Sequence, residues 1–254
     1  MKSKFFDLSG KKAIVTGASQ GLGNGMAEGL MEEGVEVVIL DLNPKTPQIA
    51  EEYVSKGFKC HGIVVNLGDE NQRKRVFDEA VSQLGGTLDI IVNAAGIQKR
   101  HKSEEFPMED WNAVININLT AVFSMCQMAG RVMLKQGHGK IINVASMLSF
   151  FGGYTVPAYA ASKGGVAQIT KAFANEWASR GVNINALAPG YMATKMNVAL
   201  IHDETRNHEI LSRIPAKRWG TPRDVAGVAC FLASPASDYL NGAIIPVDGG
   251  YLVR

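Results

Sequence analysis

The segment YAASK, residues 159–163, places a phenol and an ammonium four positions apart, with only small side chains between them. Pro157 suits the first turn of a helix, so the spacing predicts a helix on which Tyr159 and Lys163 share a face, one turn apart. A free tyrosine has a pKa of about 10 and is a poor base at neutral pH, whereas a nearby ammonium and a helix N-terminus both favour the phenolate. The pair is therefore a candidate general acid and base, although the same spacing on most helices belongs to a solvated face.

Two further polar residues could complete such a site. Ser146 follows the apolar run KIINVA at 140–145, at the end of a predicted strand, where open α/β sheets hold their ligands. Its hydroxyl could polarise a substrate oxygen while Tyr159 exchanges the proton. Asn118 lies inside a predicted helix, where asparagine is unfavourable unless its amide is used. Each of these residues alone is more often an ordinary hydrogen-bonding residue.

A glycine-rich segment, VTGASQGLGNG at 15–25, follows the first predicted strand and opens the first predicted helix. Gly17, Gly21 and Gly23 leave room for a tight turn, and the helix N-terminus offers free N–H groups to a pyrophosphate. A glycine cluster alone is weak evidence, but this position between strand and helix predicts a dinucleotide site.

Asp41 ends the second predicted strand, eighteen residues after Gly23. A carboxylate there can accept both hydroxyls of an adenosine ribose and would repel a 2′-phosphate. The neighbouring residues Ser19, Gln20 and Leu42 carry no charge that would compensate. The sequence therefore predicts NAD(H) rather than NADP(H), although an aspartate at a strand end is otherwise often a helix cap.

Short apolar runs alternate with longer helical patterns along the whole chain. The predicted strands are 12–16, 36–40, 60–65, 88–92, 140–145, 183–188 and 243–247. The predicted helices are 21–33, 45–56, 69–84, 109–135, 157–180 and 222–233. Several strands are apolar on both faces, as in a parallel sheet covered by helices on both sides. We expect an α/β fold: a single doubly wound Rossmann domain over 1–254, with a seven-stranded parallel sheet.

One segment, 191–216, interrupts this alternation between the sixth strand and the last helix. It is long, partly polar and contains a helix-like stretch at 203–214. Long excursions at the carboxyl end of a strand are commonly functional, so we predict a small substrate lid here. The alternative is a surface insertion without function.

Composition excludes several classes of protein. The formal net charge is +2 with both signs interspersed, which argues against a nucleic-acid-binding surface. Cys60, Cys126 and Cys230 lack metal-site spacing and are expected to be free thiols in a reducing cytosol. Residues 1–12 have no secretory h-region, and the apolar stretch 113–134 contains polar residues that favour a buried helix over a membrane span. We expect a cytoplasmic protein.

Together these motifs resemble the short-chain dehydrogenase/reductase family over nearly the whole chain. The resemblance also rests on NAAG at 93–96, PG at 189–190 and DGG at 248–250. It implies a catalytic tetrad of Asn118, Ser146, Tyr159 and Lys163. In that tetrad Tyr159 is the general acid and base, and Ser146 orients the reacting oxygen. Lys163 binds the nicotinamide ribose and lowers the pKa of Tyr159, and Asn118 holds a water in the proton relay.

The same resemblance implies the nucleotide-binding residues and the assembly. The residues implied to bind the nucleotide are Gly17, Ser19, Gln20, Gly21, Leu22, Gly23, Asp41, Leu42, Asn66, Leu67, Asn93, Ala94, Ala95, Gly96, Tyr159, Lys163, Pro189, Gly190, Met192 and Thr194. Two positions depart from the family pattern: Asn66 stands where an adenine-contacting aspartate is usual, and Ala94 replaces an asparagine. The resemblance implies a homotetramer in which the helices near 109–135 and 157–180 pair between subunits.

Four segments, 139–153, 188–194, 213–222 and 231–242, are similar, within the family, to bacterial 2-dehydro-3-deoxy-D-gluconate 5-dehydrogenases. That similarity implies an NAD-dependent enzyme that interconverts a secondary alcohol and a ketone on a sugar acid. The alternatives are a gluconate 5-dehydrogenase, a 3-oxoacyl-carrier-protein reductase and, in another class, a catalytically silent nucleotide-binding sensor.

A sugar-acid substrate needs a partner for its carboxylate. The basic segment IQKRHK at 97–102 follows the fourth strand, so Arg100, Lys99 or His101 could meet the carboxylate and Gln98 a hydroxyl. A solvated basic loop is the equal alternative, and Lys195 in the predicted lid is a weaker candidate. No catalytic metal is predicted. The one group considered is His202, Glu204 and His208. Glu204 and His208 share a helical face, but two ligands without a third do not make a metal site.

Overall fold

The computed structural model describes residues 4–253, the side chain of Met196 apart. Seven parallel strands form one sheet in the order β3-β2-β1-β4-β5-β6-β7. The strands are β1 Lys12–Thr16, β2 Glu36–Asp41, β3 Cys60–Val64, β4 Ile90–Asn93, β5 Gly139–Val144, β6 Val182–Pro189 and β7 Ile244–Val247. The predicted doubly wound parallel sheet is confirmed. The strand order reverses between β1 and β4, and ligands of such sheets bind at that reversal.

Helices cover both faces of the sheet. They are α1 Gly21–Glu32, α2 Thr46–Ser55, α3 Glu70–Gln83, α4 Met108–Ile115, α5 Ala121–Gln136, α6 Pro157–Trp177, α7 Val198–His202, α8 Glu204–Arg213 and α9 Pro222–Ala233. In β2, Val38 and Leu40 join the core beneath α3, α5 and α6, whereas Val37 and Ile39 join the core beneath α1, α2 and α9. This two-sided burial explains why the strand is a continuous apolar run rather than an alternating one.

The predicted continuous helix at 109–135 is instead two helices joined by a wider turn. Helix α4 ends at Ile115, residues 116–120 form a π-helical turn, and α5 begins at Ala121. Such turns are often found at functional sites, and this one carries Asn118. By length and hydropathy the stretch Met108–Gln136 could cross a membrane, and 44% of its most apolar window is buried inside the protein. Its buried face, including Met125 and Met133, belongs to the core above the sheet.

The segment between β6 and α9 forms a short 3₁₀ turn, Lys195–Asn197, followed by α7 and α8. Ile210 and Ile214 of this segment pack in a small cluster with Met147 and Tyr251. Met147 is the neighbour of Ser146, so the predicted lid rests on the turn that carries that serine. Tyr251 connects the same cluster to the last turn of the described chain.

Candidate active site

A cavity of about 420 Å³ opens at the carboxyl ends of the central strands. Most residues predicted to bind a nucleotide or substrate line it: Gly17, Gln20, Gly21, Leu22, Gly23, Asp41, Leu42, Asn66, Leu67, Ala94, Ala95, Gly96, Ser146, Tyr159, Lys163, Pro189, Gly190, Met192 and Thr194. The topology explains this convergence, because parallel strands bring the loops after β1, β2, β4, β5 and β6 to one edge of the sheet.

The glycine-rich loop after β1 is pressed against the loop after β4. Gly17 has a φ of +66°, and a Cβ added there would lie 2.7 Å from the Cα of Ala95, closer than real atoms approach. The hydroxyl oxygen of Thr16 accepts hydrogen bonds from the backbone N–H groups of Ala94 (3.0 Å) and Ala95 (3.2 Å). With helix α1 beginning at Gly21, this cradle fits a pyrophosphate at a helix N-terminus.

Asp41 stands at the end of β2 in the cavity wall. One carboxylate oxygen accepts from the backbone N–H of Ser19 and the other from that of Asn43, each at 3.0 Å. A carboxylate has about four acceptor sites, so lone pairs remain for ribose hydroxyls. Among the described residues that line the cavity, the cations are Lys163 and Lys195.

The predicted Tyr159 and Lys163 pair lies on the first turns of α6. The phenol of Tyr159 and the hydroxyl of Ser146 both line the cavity. The Lys163 ammonium is buried, donates to the backbone carbonyl of Val144 at 2.6 Å, and lies 5.6 Å from the centre of the Tyr159 ring. The described part of the chain gives this ammonium no carboxylate partner. A phenol, a hydroxyl and a cation that has no carboxylate partner in the described structure therefore meet in the nucleotide cavity.

The two titratable groups of this pair are both shifted by burial. Burial raises the pKa of Tyr159 above its ordinary value, and the neighbouring hydroxyl of Ser146 acts in the opposite direction. Burial lowers the pKa of Lys163 to about 8. The expectation that the chain's own groups lower the pKa of Tyr159 is thus not met. Loss of water around the phenol outweighs the positive charge that was expected to stabilise the phenolate.

Asn118 is fully buried beside this pair rather than in the cavity wall. Its amide donates to the carbonyl of Ile97 at 2.9 Å and to the hydroxyl of Ser162 at 3.3 Å, and it accepts from the Ile97 N–H at 2.8 Å. Ser162 in turn donates to the carbonyl of Tyr159 at 2.7 Å. Asn118 therefore ties the π-helical turn to the loop after β4 and to α6, and these contacts occupy the amide that was expected to hold a water.

Two nucleotide-binding candidates have side chains that lie outside the cavity lining. Asn93 is buried between strands and donates to the side-chain oxygen of Asn143 at 2.9 Å. Ser19 contributes its backbone N–H to Asp41, while its hydroxyl accepts from Asn43 at 3.4 Å. Both residues thus hold the loops that surround the nucleotide site.

The basic segment at 97–102 also lies outside the lining, except for Ile97. Arg100 is exposed and donates to the side chain of Gln98 at 3.3 Å. Lys99 and His101 are both paired with Asp110, at 3.2 Å and 2.7 Å. Among the cations predicted to meet the carboxylate, Lys195, the weaker candidate, is the one that the structure places in the lining. Over residues 4–253, no group of three or more His, Cys, Asp or Glu side chains is arranged to hold a metal ion.

Some residues shape the site although the sequence assigned them no role. Asn143 in β5 donates to the hydroxyl of Thr170 in α6 at 2.9 Å, and both side chains are buried. Thr170 lies seven positions after Lys163, on the same face of α6. The signal available in the sequence was a polar residue inside the apolar run of β5.

Comparison with known proteins identifies the family. A sequence profile described as enoyl-(acyl carrier protein) reductase matches residues 17–252. The chain is 48% identical over 251 residues to the 2-dehydro-3-deoxy-D-gluconate 5-dehydrogenase of Dickeya dadantii, with 98% of each chain covered. The chain belongs to the short-chain dehydrogenase/reductase family. It is also 46% identical to the Bacillus subtilis enzyme of the same name, with 98% of this chain and 97% of that one covered.

A solved structure supports the same assignment. The gluconate 5-dehydrogenase of Burkholderia cenocepacia, in complex with NADP and tartrate, matches with a TM-score of 0.95 at 39% identity, covering 99% of this chain and 98% of that one. Our chain is accordingly an oxidoreductase of this family that acts on a CH–OH group.

Gly17→Ala is expected to weaken nucleotide binding at least tenfold, because the new Cβ pushes the glycine-rich loop away from Ala95. Titration with the reduced nucleotide, followed by its fluorescence, measures the dissociation constant. Gly10→Ala is the matched control, since Gly10 also has a positive φ (+74°) but no atom within 4 Å of the added Cβ. Equal affinities for the two variants would contradict the steric explanation.

Proposed function

We propose that this chain is a 2-dehydro-3-deoxy-D-gluconate 5-dehydrogenase that uses NAD(H). The observation that carries the proposal is the meeting of Tyr159, Ser146 and the buried Lys163 in one cavity with the candidate nucleotide-binding residues. The relatives of that name, at 46% and 48% identity, support the substrate.

Each residue of the candidate catalytic group has its own role in the proposed reaction. In oxidation, the phenolate of Tyr159 accepts the proton of the substrate hydroxyl while the carbon that bears this hydroxyl gives up a hydride. In reduction, the phenol of Tyr159 gives a proton to the substrate oxygen, which becomes the new hydroxyl. Ser146 donates to the reacting oxygen and stabilises the charge that develops there. The nicotinamide ring, when bound, supplies the hydride acceptor or donor. Lys163 would hold the nicotinamide ribose and favour the phenolate, and Asn118 positions the π-helical turn next to α6.

The choice of NAD rests on Asp41. Its carboxylate is at the end of β2, in the cavity wall, and the lining cations are Lys163 beside Tyr159 and Lys195 in the predicted lid. A 2′-phosphate at contact distance from a carboxylate is repelled by about 4 kcal/mol at an intermediate dielectric. The structure of the Burkholderia cenocepacia relative contains NADP. The proposed preference of this chain for NAD over NADP is therefore argued from Asp41 and not from that relative.

Two alternatives share the chemistry. A gluconate 5-dehydrogenase is favoured by the similarity to the Burkholderia cenocepacia enzyme, at a lower identity than the first two relatives. A 3-oxoacyl-carrier-protein reductase would require a basic surface for an acidic carrier and NADPH, which the net charge of +2 and Asp41 disfavour. A panel of keto sugar acids and ketoacyl thioesters, followed by NADH oxidation, separates these substrates.

We also propose a homotetramer in the cytoplasm. Phe123 of α5 stacks on Phe173 of α6 at 5.5 Å, and Phe173 stacks on Trp177 at 4.3 Å. Phe123 remains 41% exposed, so this aromatic stack offers apolar surface for a second subunit. The three cysteines are free thiols, which is in keeping with a reducing compartment.

Tyr159→Phe is expected to lower kcat by 10² to 10⁴-fold, because it removes the general acid and base. The dissociation constant for the nucleotide should change by less than about threefold, since most of the cavity wall is untouched. Tyr154→Phe, at an 88% exposed tyrosine, is the control and should keep wild-type kcat. Turnover retained by Tyr159→Phe would refute the assignment, and wild-type binding of NAD without turnover of any sugar acid would favour the sensor.

The wild type is expected to show a kcat/KM for NAD about 100-fold above that for NADP. Asp41→Asn keeps an acceptor for the Ser19 N–H but removes the charge, so it should narrow this ratio at least tenfold. Asp41→Ala also loses the Ser19 bond and should weaken both nucleotides. Comparable kcat/KM values for NADPH and NADH in the wild type would overturn the NAD assignment.

Arg100→Met and Lys195→Met test the partner of the substrate carboxylate. Loss of a charge-assisted hydrogen bond should raise KM for the sugar acid about tenfold or more in the variant that removes the partner, with kcat for a carboxylate-free ketone unchanged. The other variant serves as the matched control, because both remove one cation. If neither KM moves, the site does not recognise a carboxylate through these two residues.

A further inference from the structure

The turn after β3, residues 66–68, is held from outside by two side chains of α3. This segment is called the β3 turn below. Asn66 donates its N–H to the side-chain oxygen of Gln72 at 3.0 Å, and the guanidinium of Arg73 donates to the carbonyl of Leu67. Arg73 is 4% exposed, and its Nε has no partner among the described residues. Asn66 and Leu67 line the nucleotide cavity, so a buried cation and an amide fix part of its wall.

The third residue of the β3 turn is held by the π-helical turn. Asn116 donates its side-chain N–H to the carbonyl of Gly68 at 2.9 Å. The next residue, Ile117, lines the nucleotide cavity, and the one after it, Asn118, holds the backbone of Ile97 in the loop after β4. Three consecutive residues thus contact the β3 turn, the cavity, and the loop beside the catalytic pair.

We propose that Asn116 is a positioning residue that couples the adenosine half of the nucleotide site to the nicotinamide half. This inference rests on the proposed nucleotide-dependent function. The β3 turn follows closely on Val64, which pairs in register with Asp41, the predicted ribose partner, so adenosine is the part of the nucleotide that meets this turn. Ordering of that turn by adenosine is transmitted through Asn116 to the π-helical turn. Asn118, on the same turn, then orders the backbone of Ile97 through its hydrogen bonds. It also orders the backbone of Tyr159 through the hydroxyl of Ser162.

The physical reason is that binding energy from a remote part of a ligand can be used to orient the reacting part. Coupling between two half-sites is reciprocal, so either half-ligand should tighten the binding of the other. The hydrogen bond from Asn116 to Gly68 joins the two half-sites, because the π-helical turn that carries Asn116 also carries Asn118.

The test uses the two halves of the nucleotide as separate ligands. Reduced nicotinamide mononucleotide is titrated into the protein by fluorescence, with and without saturating adenosine monophosphate. In the wild type, adenosine monophosphate should tighten the binding of the mononucleotide at least threefold. Asn116→Leu, which removes the donor at nearly constant volume, should abolish this tightening at concentrations of adenosine monophosphate that again saturate the variant. Asn112→Leu, at an exposed position one turn earlier on α4, should keep the wild-type factor.

Asn116→Asp provides a second variant of nearly the same shape, which also removes the donor and should also lose the tightening. The coupling is overturned if adenosine monophosphate tightens the binding of the mononucleotide by the same factor in the wild type and in both Asn116 variants. It is also overturned if adenosine monophosphate causes no tightening in the wild type. Because no substrate turnover is measured, failure of the sugar-acid activity and failure of this inference are distinguishable. The first appears in the NADH oxidation panel, and the second appears only in the binding of the half-ligands.

Discussion

The site is built around the buried ammonium of Lys163, which has no carboxylate partner among residues 4–253. Removing a cation from water is costly unless it is hydrogen-bonded, and Lys163 has the carbonyl of Val144 as its partner. Val144 is the last residue of β5, and Ser146 follows two positions later, so one strand end both holds the cation and delivers the serine. The same bond seats α6 on the sheet and thereby places Tyr159 over Ser146.

Hydrogen bonds between neighbouring loops and helices hold the walls of this pocket together. The loops after β1 and β4 meet at the reversal of strand order, where Thr16 joins them through Ala94 and Ala95. The π-helical turn connects the loop after β4 to the helix that carries Tyr159. Catalytic groups held in this way need little reorganisation when substrate arrives. The segment 191–216 contacts the site through Met147 and the small cluster around Tyr251.

The sequence predicted the fold because a parallel sheet buried on both faces leaves continuous apolar runs, such as EVVIL at 36–40, between helical patterns. It predicted the meeting of Tyr159 and Lys163 because helical periodicity alone places them on one face. It could not predict the π-helical turn, since that turn depends on an amide of Asn118 bonding to Ile97, twenty-one positions away. The direction of the Tyr159 pKa was likewise beyond the sequence, because it is set by burial, which only the packed structure determines.

The account depends on Lys163 and the bound oxidised nucleotide together reversing the effect of burial on Tyr159. The direct measurement is a pH titration of Tyr159 by NMR of ¹³C-labelled tyrosine, with and without oxidised nucleotide, in the wild type and in Lys163→Met. The account predicts that nucleotide lowers the pKa of Tyr159 in the wild type, and that this pKa is higher in Lys163→Met under both conditions. A Tyr159 pKa that is the same with and without the lysine would contradict it.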